Sequence, residues 1–267
     1  MRYIASLSYG KDSLAMLEAI QRLGYPLDEI VHAEIWATDT ISANLPAVVE
    51  FKRYADRIIK ARYGLDVRHV YAINDDGSKK TFEKMFYRVP PQRKNKNYEG
   101  CYLGWPMLRG RWCLKALKLA AMRKRNTDEI WYVGIAADET ERINNNDNKR
   151  NVLPLVDIGW SEDDAMVWCR DNDLVSPTYD KNNRDGCWFC PCQNTDSLRR
   201  LRHDCPDLWA LMLKWDKDSP ITFKADGLTV HDYDKRFELE DMGLIDKNKR
   251  FRWRMINMPY QQQKIWS

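Results

Sequence analysis

Six consecutive residues, Ser8-Tyr9-Gly10-Lys11-Asp12-Ser13, combine two serine hydroxyls, a tyrosine, a glycine, a cation and a carboxylate. They stand between an apolar run, Tyr3 to Leu7, and a helical apolar stripe of Met16, Leu17, Ile20 and Leu23. A strand that enters a tight turn and then a helix start aims several backbone N–H groups, and the positive end of the helix dipole, at one point. Such a point holds phosphate. Lys11 adds a cation, Ser8 and Ser13 add hydroxyl donors, Gly10 lets the backbone come close, and Asp12 is placed to orient the turn or a magnesium ion. The Walker spacing G-x-x-x-x-G-K-[ST] is absent. The plainer alternative is an ordinary strand-turn-helix corner with Ser and Asp as caps and Lys11 in solvent.

A second group of residues is suited to soft-metal chemistry. Cys187, Cys190, Cys192 and Cys205 form a C-x2-C-x-C-x12-C string, and Cys113 lies 74 positions upstream of Cys187. A C-x2-C turn puts two sulfurs on one side of a tight loop, the spacing used by tetrahedral zinc and by iron–sulfur sites. Two other readings stay open: buried thiols that fill a core, and a redox dithiol. An odd total of seven cysteines fits a reducing compartment better than a disulfide framework.

The elements that must position these residues read as repeated βαβ units. Strands are expected over Tyr3–Leu7, Ile30–Trp36, Val67–Ile73 and Glu129–Ile135. Helices are expected after the first turn, ending at Gly24 and Pro26, and over Pro46–Arg62 with Val48, Phe51, Ile58 and Ile59 inward. Further helices are expected over Leu114–Arg125, from the cap Ser161-Glu162-Asp163-Asp164, and over Ser197–Trp215. The polar, basic stretch from Asn74 to about Arg111, with Pro90 and Pro91, reads as a long loop or lid. The last 50 residues read as irregular strands.

The fold class is therefore α/β, with a doubly wound, mostly parallel sheet, a cysteine-rich metal module and a small C-terminal extension. The domains expected are 1–180 for nucleotide binding, 181–216 for the cysteine module and its helix, and 217–267 for the extension. At 267 residues, with 44% hydrophobic and 31% charged residues, disorder and collagen-like repeats are excluded. No apolar run is long enough to span a bilayer, and the first residues carry no secretion signal, so a cytoplasmic protein is expected. A net charge of +4 permits nucleic-acid contact without arguing for it.

The Ser8–Ser13 string resembles the S-G-G-K-D-S pyrophosphate loop of the adenine nucleotide alpha hydrolase superfamily, with Tyr9 in the second place. Three more segments are similar to its phosphoadenosine phosphosulfate (PAPS) reductase-like branch. They are Trp36-Ala37-Thr38-Asp39-Thr40, Gly134 to Arg142 with Glu139 inside it, and Pro154 to Asp164 followed by Pro177 and Tyr179. Together they cover about residues 1–215. The resemblance implies an adenine nucleotide held by Ser8, Tyr9, Gly10, Lys11, Asp12, Ser13, Asp39, Gly134, Glu139 and Arg142. Lys11, Asp12 and Asp39 are then the catalytic candidates. Ligands bind at strand ends in such sheets, and Asp39, Gly134, Glu139 and Arg142 all follow expected strands.

Arg111-Trp112-Cys113 and Gly186-Cys187-x-x-Cys190-Pro191 resemble cysteine elements of the same branch. The resemblance implies a 4Fe-4S cluster or Zn2+ on Cys113, Cys187, Cys190 and Cys205, with Cys192 as the reserve for the fourth place. The chain also departs from the branch. Ala136 stands where an Arg is usual, which favours ATP with Mg2+ over a doubly phosphorylated nucleotide. No Cys follows Cys205 and no two cysteines are adjacent, so the thiol that sulfonucleotide reduction uses is missing.

The activity expected is cleavage of ATP between the α and β phosphates to adenylate an acceptor for sulfur or nitrogen insertion. Sulfonucleotide reduction and non-catalytic binding of nucleotide or nucleic acid are the alternatives. Partners expected are the adenine nucleotide, then a nucleic-acid acceptor or a sulfur-donor protein; a homodimer is the candidate assembly, and no membrane partner is expected. Two basic clusters, Met122–Arg125 and Lys247–Arg254, could bind nucleic acid, the second equally as a half-buried edge strand. Four histidines, at 32, 69, 203 and 231, are scattered, and His203 near Cys205 is an outside candidate for a metal ligand.

Overall fold

The computed structural model describes residues 1–92, 95–107, 110–122, 128–179, 186–249, 251 and 253. They fall into two compact units, one of Met1–Glu83 with Cys113–Cys187 and one of Lys84–Trp112 with Trp188–Ser267. The first unit begins β1 (Arg2–Leu7), α1 (Lys11–Arg22), β2 (Glu29–Ala33), α2 (Pro46–Tyr63) and β3 (Val67–Val70). The chain then passes through α3 (Phe82–Phe86), where the first unit gives way to the second. After a π-helical turn at Leu114–Leu119, the first unit resumes with β4 (Glu129–Val133), α4 (Thr140–Asn144), β5 (Asn151–Val152), α5 (Pro154–Asp157) and α6 (Glu162–Asp171).

The five strands form one sheet in the order β3-β2-β1-β4-β5, and every pair is parallel. The α/β expectation holds, and helices flanking this order are compatible with a doubly wound fold. Alternation in β1 sends Ala5 and Leu7 into a core shared with Leu14, Met16, Leu17 and Ile20 of α1, Phe51, Ala55 and Ile59 of α2, and Ala165, Trp168 and Cys169 of α6. Ile4, Val31 and Trp131 pack together in a separate cluster with Val70 and Met122. α1 is buried continuously from Ser13 to Ile20, so the helix that starts at the candidate phosphate turn is also the centre of the core.

The second unit holds α7 (Thr195–Asp204), α8 (Pro206–Asp218) and α9 (Val230–Asp241). Its core is aromatic: Trp105, Trp188, Trp215 and Phe223 are almost fully buried. Trp188 stacks on Trp215 at 5.6 Å, and Trp105 meets Phe86 edge-on at 5.3 Å.

Several sequence expectations are corrected. The Asn74–Arg111 stretch, expected as a long loop or lid, is not loop throughout its described residues. It contains a Gly77 turn closed by Ile73 pairing with Lys79, then α3 and a short 3-10 turn at Lys96–Tyr98, and buried Phe82, Phe86 and Trp105 anchor it. β2 and β3 end earlier than expected. Leu114–Leu119 coils as a π-helix rather than an α-helix, and Arg123–Arg125 lie outside the described residues.

The single helix expected over Ser197–Trp215 is two, broken at Cys205, whose backbone is at φ −138° and ψ 64°. Pro206 is the reason, because the residue before a proline is driven out of the helical region. The last 50 residues hold α9 rather than strands alone. Its start is a reciprocal cap between Thr229 and Asp232, the [ST]-x-x-[DE] signature. Of the Lys247–Arg254 cluster, Arg250, Arg252 and Arg254 lie outside the described residues, while Phe251 and Trp253 face α9, with Arg236 over both rings.

Candidate functional site

β1 ends at Leu7, and three residues turn the chain into α1. Tyr9 takes the left-handed conformation, φ 62°, which a residue with a side chain seldom adopts. Gly10 then caps α1 in extended backbone. Ser13, one turn into the helix, ties the turn together: its Oγ accepts from Ser8 N at 3.1 Å, donates to Gly10 O at 2.9 Å, and lies 2.9 Å from Ser8 Oγ. A side chain at Gly10 would meet Tyr179 Oη at 3.2 Å, and Lys11 N donates to the same oxygen at 3.4 Å.

Lys11 Nζ lies 2.7 Å from Asp12 Oδ1 and 2.8 Å from Glu162 Oε1, the latter from the first turn of α6. Burial pulls the Lys11 ammonium down, but the two carboxylates outweigh it and hold the pKa above its ordinary value. Asp12 is pushed the other way, raised first by burial and further by the charges of Glu139 and Glu162, against the pull of Lys11. α6 is aimed by its own cap, in which Ser161 and Asp164 exchange hydrogen bonds, while Glu162 N donates to Asp138 Oδ1 at 3.0 Å.

Gly134 follows β4 and packs against the start of α1. A Cβ there would sit 2.9 Å from the Asp12 carbonyl and from Ser13 Cα, so only glycine lets the two backbones approach. Glu139 accepts from Ala136 N at 3.1 Å and pairs with Arg142. Of the residues expected from sequence, Ser8, Tyr9, Gly10, Lys11, Asp12, Ser13 and Gly134 share one turn, with Glu139 in electrostatic reach of Asp12. The turn lies between β1 and β4, where the strand order reverses direction. Asp39 stands in an exposed turn beyond β2, its carbonyl accepting from Lys79 Nζ at 2.9 Å. Glu162 and Tyr179 were not among the expected site residues; Glu162 was read as part of a helix cap and of a resembling segment, and Tyr179 only for its resemblance.

A second polar group adjoins the turn through the Tyr9 side chain. Its hydroxyl donates to Asp56 and lies 3.1 Å from His69 Nε2, and its ring meets His32 edge-on at 4.8 Å. Beneath it, Lys52 Nζ lies 2.9 Å from His32 Nε2, 3.1 Å from Glu34 Oε2 and 2.6 Å from Asn44 Oδ1. His69 is raised to about 9 by its hydrogen bonds with Asp56 and Glu34, whereas burial lowers His32. Burial works against the Glu34 carboxylate, but the two imidazoles and Lys52 outweigh it and hold its pKa far below the usual range. Burial and the neighbouring Asp56 raise the Tyr9 phenol, so its proton stays.

Sequence reasoning left these histidines unassigned because they sit 37 positions apart. The signal lay in the register, which puts His32 of β2 directly beside His69 of β3. Among the described residues, His32, Glu34 and His69 are the one set of three or more His, Cys, Asp or Glu whose ligating atoms lie within 4.8 Å of one another.

The cysteines were the expected metal centre. Cys190 and Cys192 lie on a turn that Lys224 clamps, its Nζ donating to Pro191 O at 2.6 Å and to Gln193 O. Arg111 Nη1 donates to Cys192 Sγ at 3.7 Å. Cys205 forms the joint between α7 and α8, and Cys113 opens the π-helical turn. Sulfurs beside two cations suit a thiophilic group, but no cysteine belongs to the ligating set found among the described residues. The chain matches no family profile and no curated protein sequence.

Proposed function

We infer that this chain is an ATP-binding enzyme whose β1–α1 turn holds the triphosphate while the α–β bond is broken. The observation that carries the reading is the turn itself. A left-handed Tyr9, the hydroxyls of Ser8 and Ser13, the start of a buried helix and the Lys11 ammonium meet at the point where the parallel sheet reverses order.

In this reading an acceptor oxygen attacks the α phosphorus. The new O–P bond forms as the bond to the β phosphate breaks, and pyrophosphate leaves, giving an adenylated acceptor; a sulfur or nitrogen nucleophile then attacks the acceptor carbon, and AMP leaves with the acceptor oxygen as the C–O bond breaks. Lys11 neutralises charge that grows on the departing pyrophosphate, and the N–H groups at the start of α1 hold the phosphate oxygens. Lys11 exchanges its present carboxylate partners for phosphate as the nucleotide enters. Asp12 and Glu162, so released, are the residues that would hold Mg2+, and Mg2+ would supply charge neutralisation there.

The test is ATP affinity and acceptor-dependent pyrophosphate release. Lys11→Ala is expected to weaken ATP binding at least about ten-fold, a loss of about 1.4 kcal/mol, and to abolish release. Unchanged ATP affinity in Lys11→Ala would overturn the reading.

A further inference from the structure

The ring nitrogens of His32 and His69 and the Glu34 carboxylate are arranged as a metal site is arranged. His32 Nε2 lies 3.3 Å from Glu34 Oε2, and His69 Nδ1 lies 3.5 Å from the same oxygen. In tetrahedral zinc sites the metal–ligand bonds are about 2.0–2.1 Å, which sets neighbouring ligand atoms about 3.4 Å apart. Both separations match that edge.

The surrounding hydrogen bonds also match. His32 Nδ1 must donate to Leu7 O, 2.9 Å away, because a carbonyl only accepts; the Nε2 lone pair therefore points inward. His69 Nε2 is bound by Asp56 Oδ2 at 3.0 Å, which leaves Nδ1 as its inward atom. A carbonyl behind one imidazole and a carboxylate behind the other are the partners that orient histidine ligands in metalloproteins. A cation, the Lys52 ammonium, already lies against two of the three groups, His32 Nε2 and Glu34, with Asn44 Oδ1 as a further oxygen donor.

We propose that His32 Nε2, Glu34 and His69 Nδ1 form a binding site for a divalent transition-metal ion of the zinc type, in which the ion takes the position of the Lys52 ammonium. Two imidazoles and one carboxylate favour Zn2+, Co2+ or Fe2+ over Mg2+ or Ca2+, which prefer oxygen. Asn44 or a water supplies the fourth position. Lys52 reaches the centre from α2 on a flexible stem and withdraws as the ion enters. Entry is from the side of His69, whose side chain is 35% exposed while that of His32 is 8% exposed. The site needs no nucleotide, so its failure and that of the ATP reading are separable.

The experiment is zinc titration and cobalt absorption on the metal-free full-length chain, beside a variant with Cys113, Cys187, Cys190, Cys192 and Cys205 all changed to Ser. The cysteine variant is expected to keep one Zn2+ per chain, and its Co2+ spectrum to show tetrahedral bands without thiolate charge transfer. In that background His69→Ala and Glu34→Gln, at partly exposed positions, are expected to weaken zinc binding at least 100-fold, an energy of about 2.7 kcal/mol. Lys52→Met, which leaves no ammonium to displace, is expected to bind zinc about ten-fold more tightly. Should the cysteine variant bind no zinc, or should His69→Ala bind it as tightly as its parent, the cluster is an internal ion-pair network only and the proposal fails. If the cysteine variant does not fold, the same comparison is made by zinc-dependent thermal shift in the wild-type background, where loss of the shift in both His69→Ala and Glu34→Gln supports the site and an undiminished shift overturns it.

Discussion

At the scale of single residues, Tyr9 does what a glycine would do more cheaply in backbone terms. A side chain in the left-handed region costs about 1 kcal/mol or more, and this cost is offset by a ring that is 1% exposed and a hydroxyl bonded to Asp56. Tyr9→Phe keeps the ring and removes the hydroxyl. It is expected to destabilise the fold by about 1–2 kcal/mol in urea unfolding and to lower ATP affinity in parallel; a variant as stable as wild type would show that the hydroxyl does not hold the turn.

Cys169 lies beneath the same turn. It is fully buried, its thiol donates to Lys11 O at 3.5 Å, and burial pushes its pKa up to about 12. A thiol raised in this way stays protonated through the range in which ordinary thiols ionise. Alkylation of the native chain near about pH 9, above the usual thiol pKa, is therefore expected to leave Cys169 unlabelled until the chain is denatured. Mass mapping of the labelled peptides checks this.

At the scale of elements, the cap of α6 has two tasks. The Ser161–Asp164 exchange starts the helix, and the next residue, Glu162, reaches Lys11. Ser161→Ala is expected to cost about 1 kcal/mol of stability, read by thermal unfolding, and to loosen the carboxylate partner of Lys11.

This cap was legible from residues alone, as were β1, α1, α2, β4 and most of the phosphate turn. Long apolar stripes at helical spacing, and strands bounded by Gly and Pro, are local signals. What escaped was set by distant partners. α9 presents Val230, Tyr233 and Phe237 to its neighbours amid many charges, so its stripe is weak although its cap is plain. The His32–Glu34–Lys52–His69 group was invisible because β2, the residue just beyond it, α2 and β3 each contribute only one member, and strand register brings the two histidines together. The break at Cys205 was readable from Pro206, and the continuous pattern of Leu198, Leu201 and Trp209 masked it.

At the scale of the whole molecule, each unit has its own core, and in the second a buried carboxylate joins distant pieces. Asp216 of α8 accepts from Trp105 Nε1 at 2.9 Å, from Val230 N at 2.9 Å and from His231 Nδ1 at 2.8 Å, so it also caps α9. Asp216→Ala leaves the Trp105 and Val230 donors buried without an acceptor and is expected to cost about 3 kcal/mol or more. Hydrogen exchange is expected to show lost protection in α8 and α9 while β1 and α1 stay protected; uniform loss across both units would mean that they unfold as one.

The place of β1 at the centre of the sheet bears on how the chain reaches its native state. Arg2 pairs with Glu129 and Ser6 with Val133, so the middle strand is made early and receives its second neighbour only after more than about a hundred further residues have been synthesised. Until then β1 has an open edge, and the apolar flank of α1 lacks α6 to cover it. A nascent chain of this topology is exposed to mispairing during synthesis, and its refolding belongs to the slow, non-local class, in milliseconds to seconds or beyond rather than microseconds.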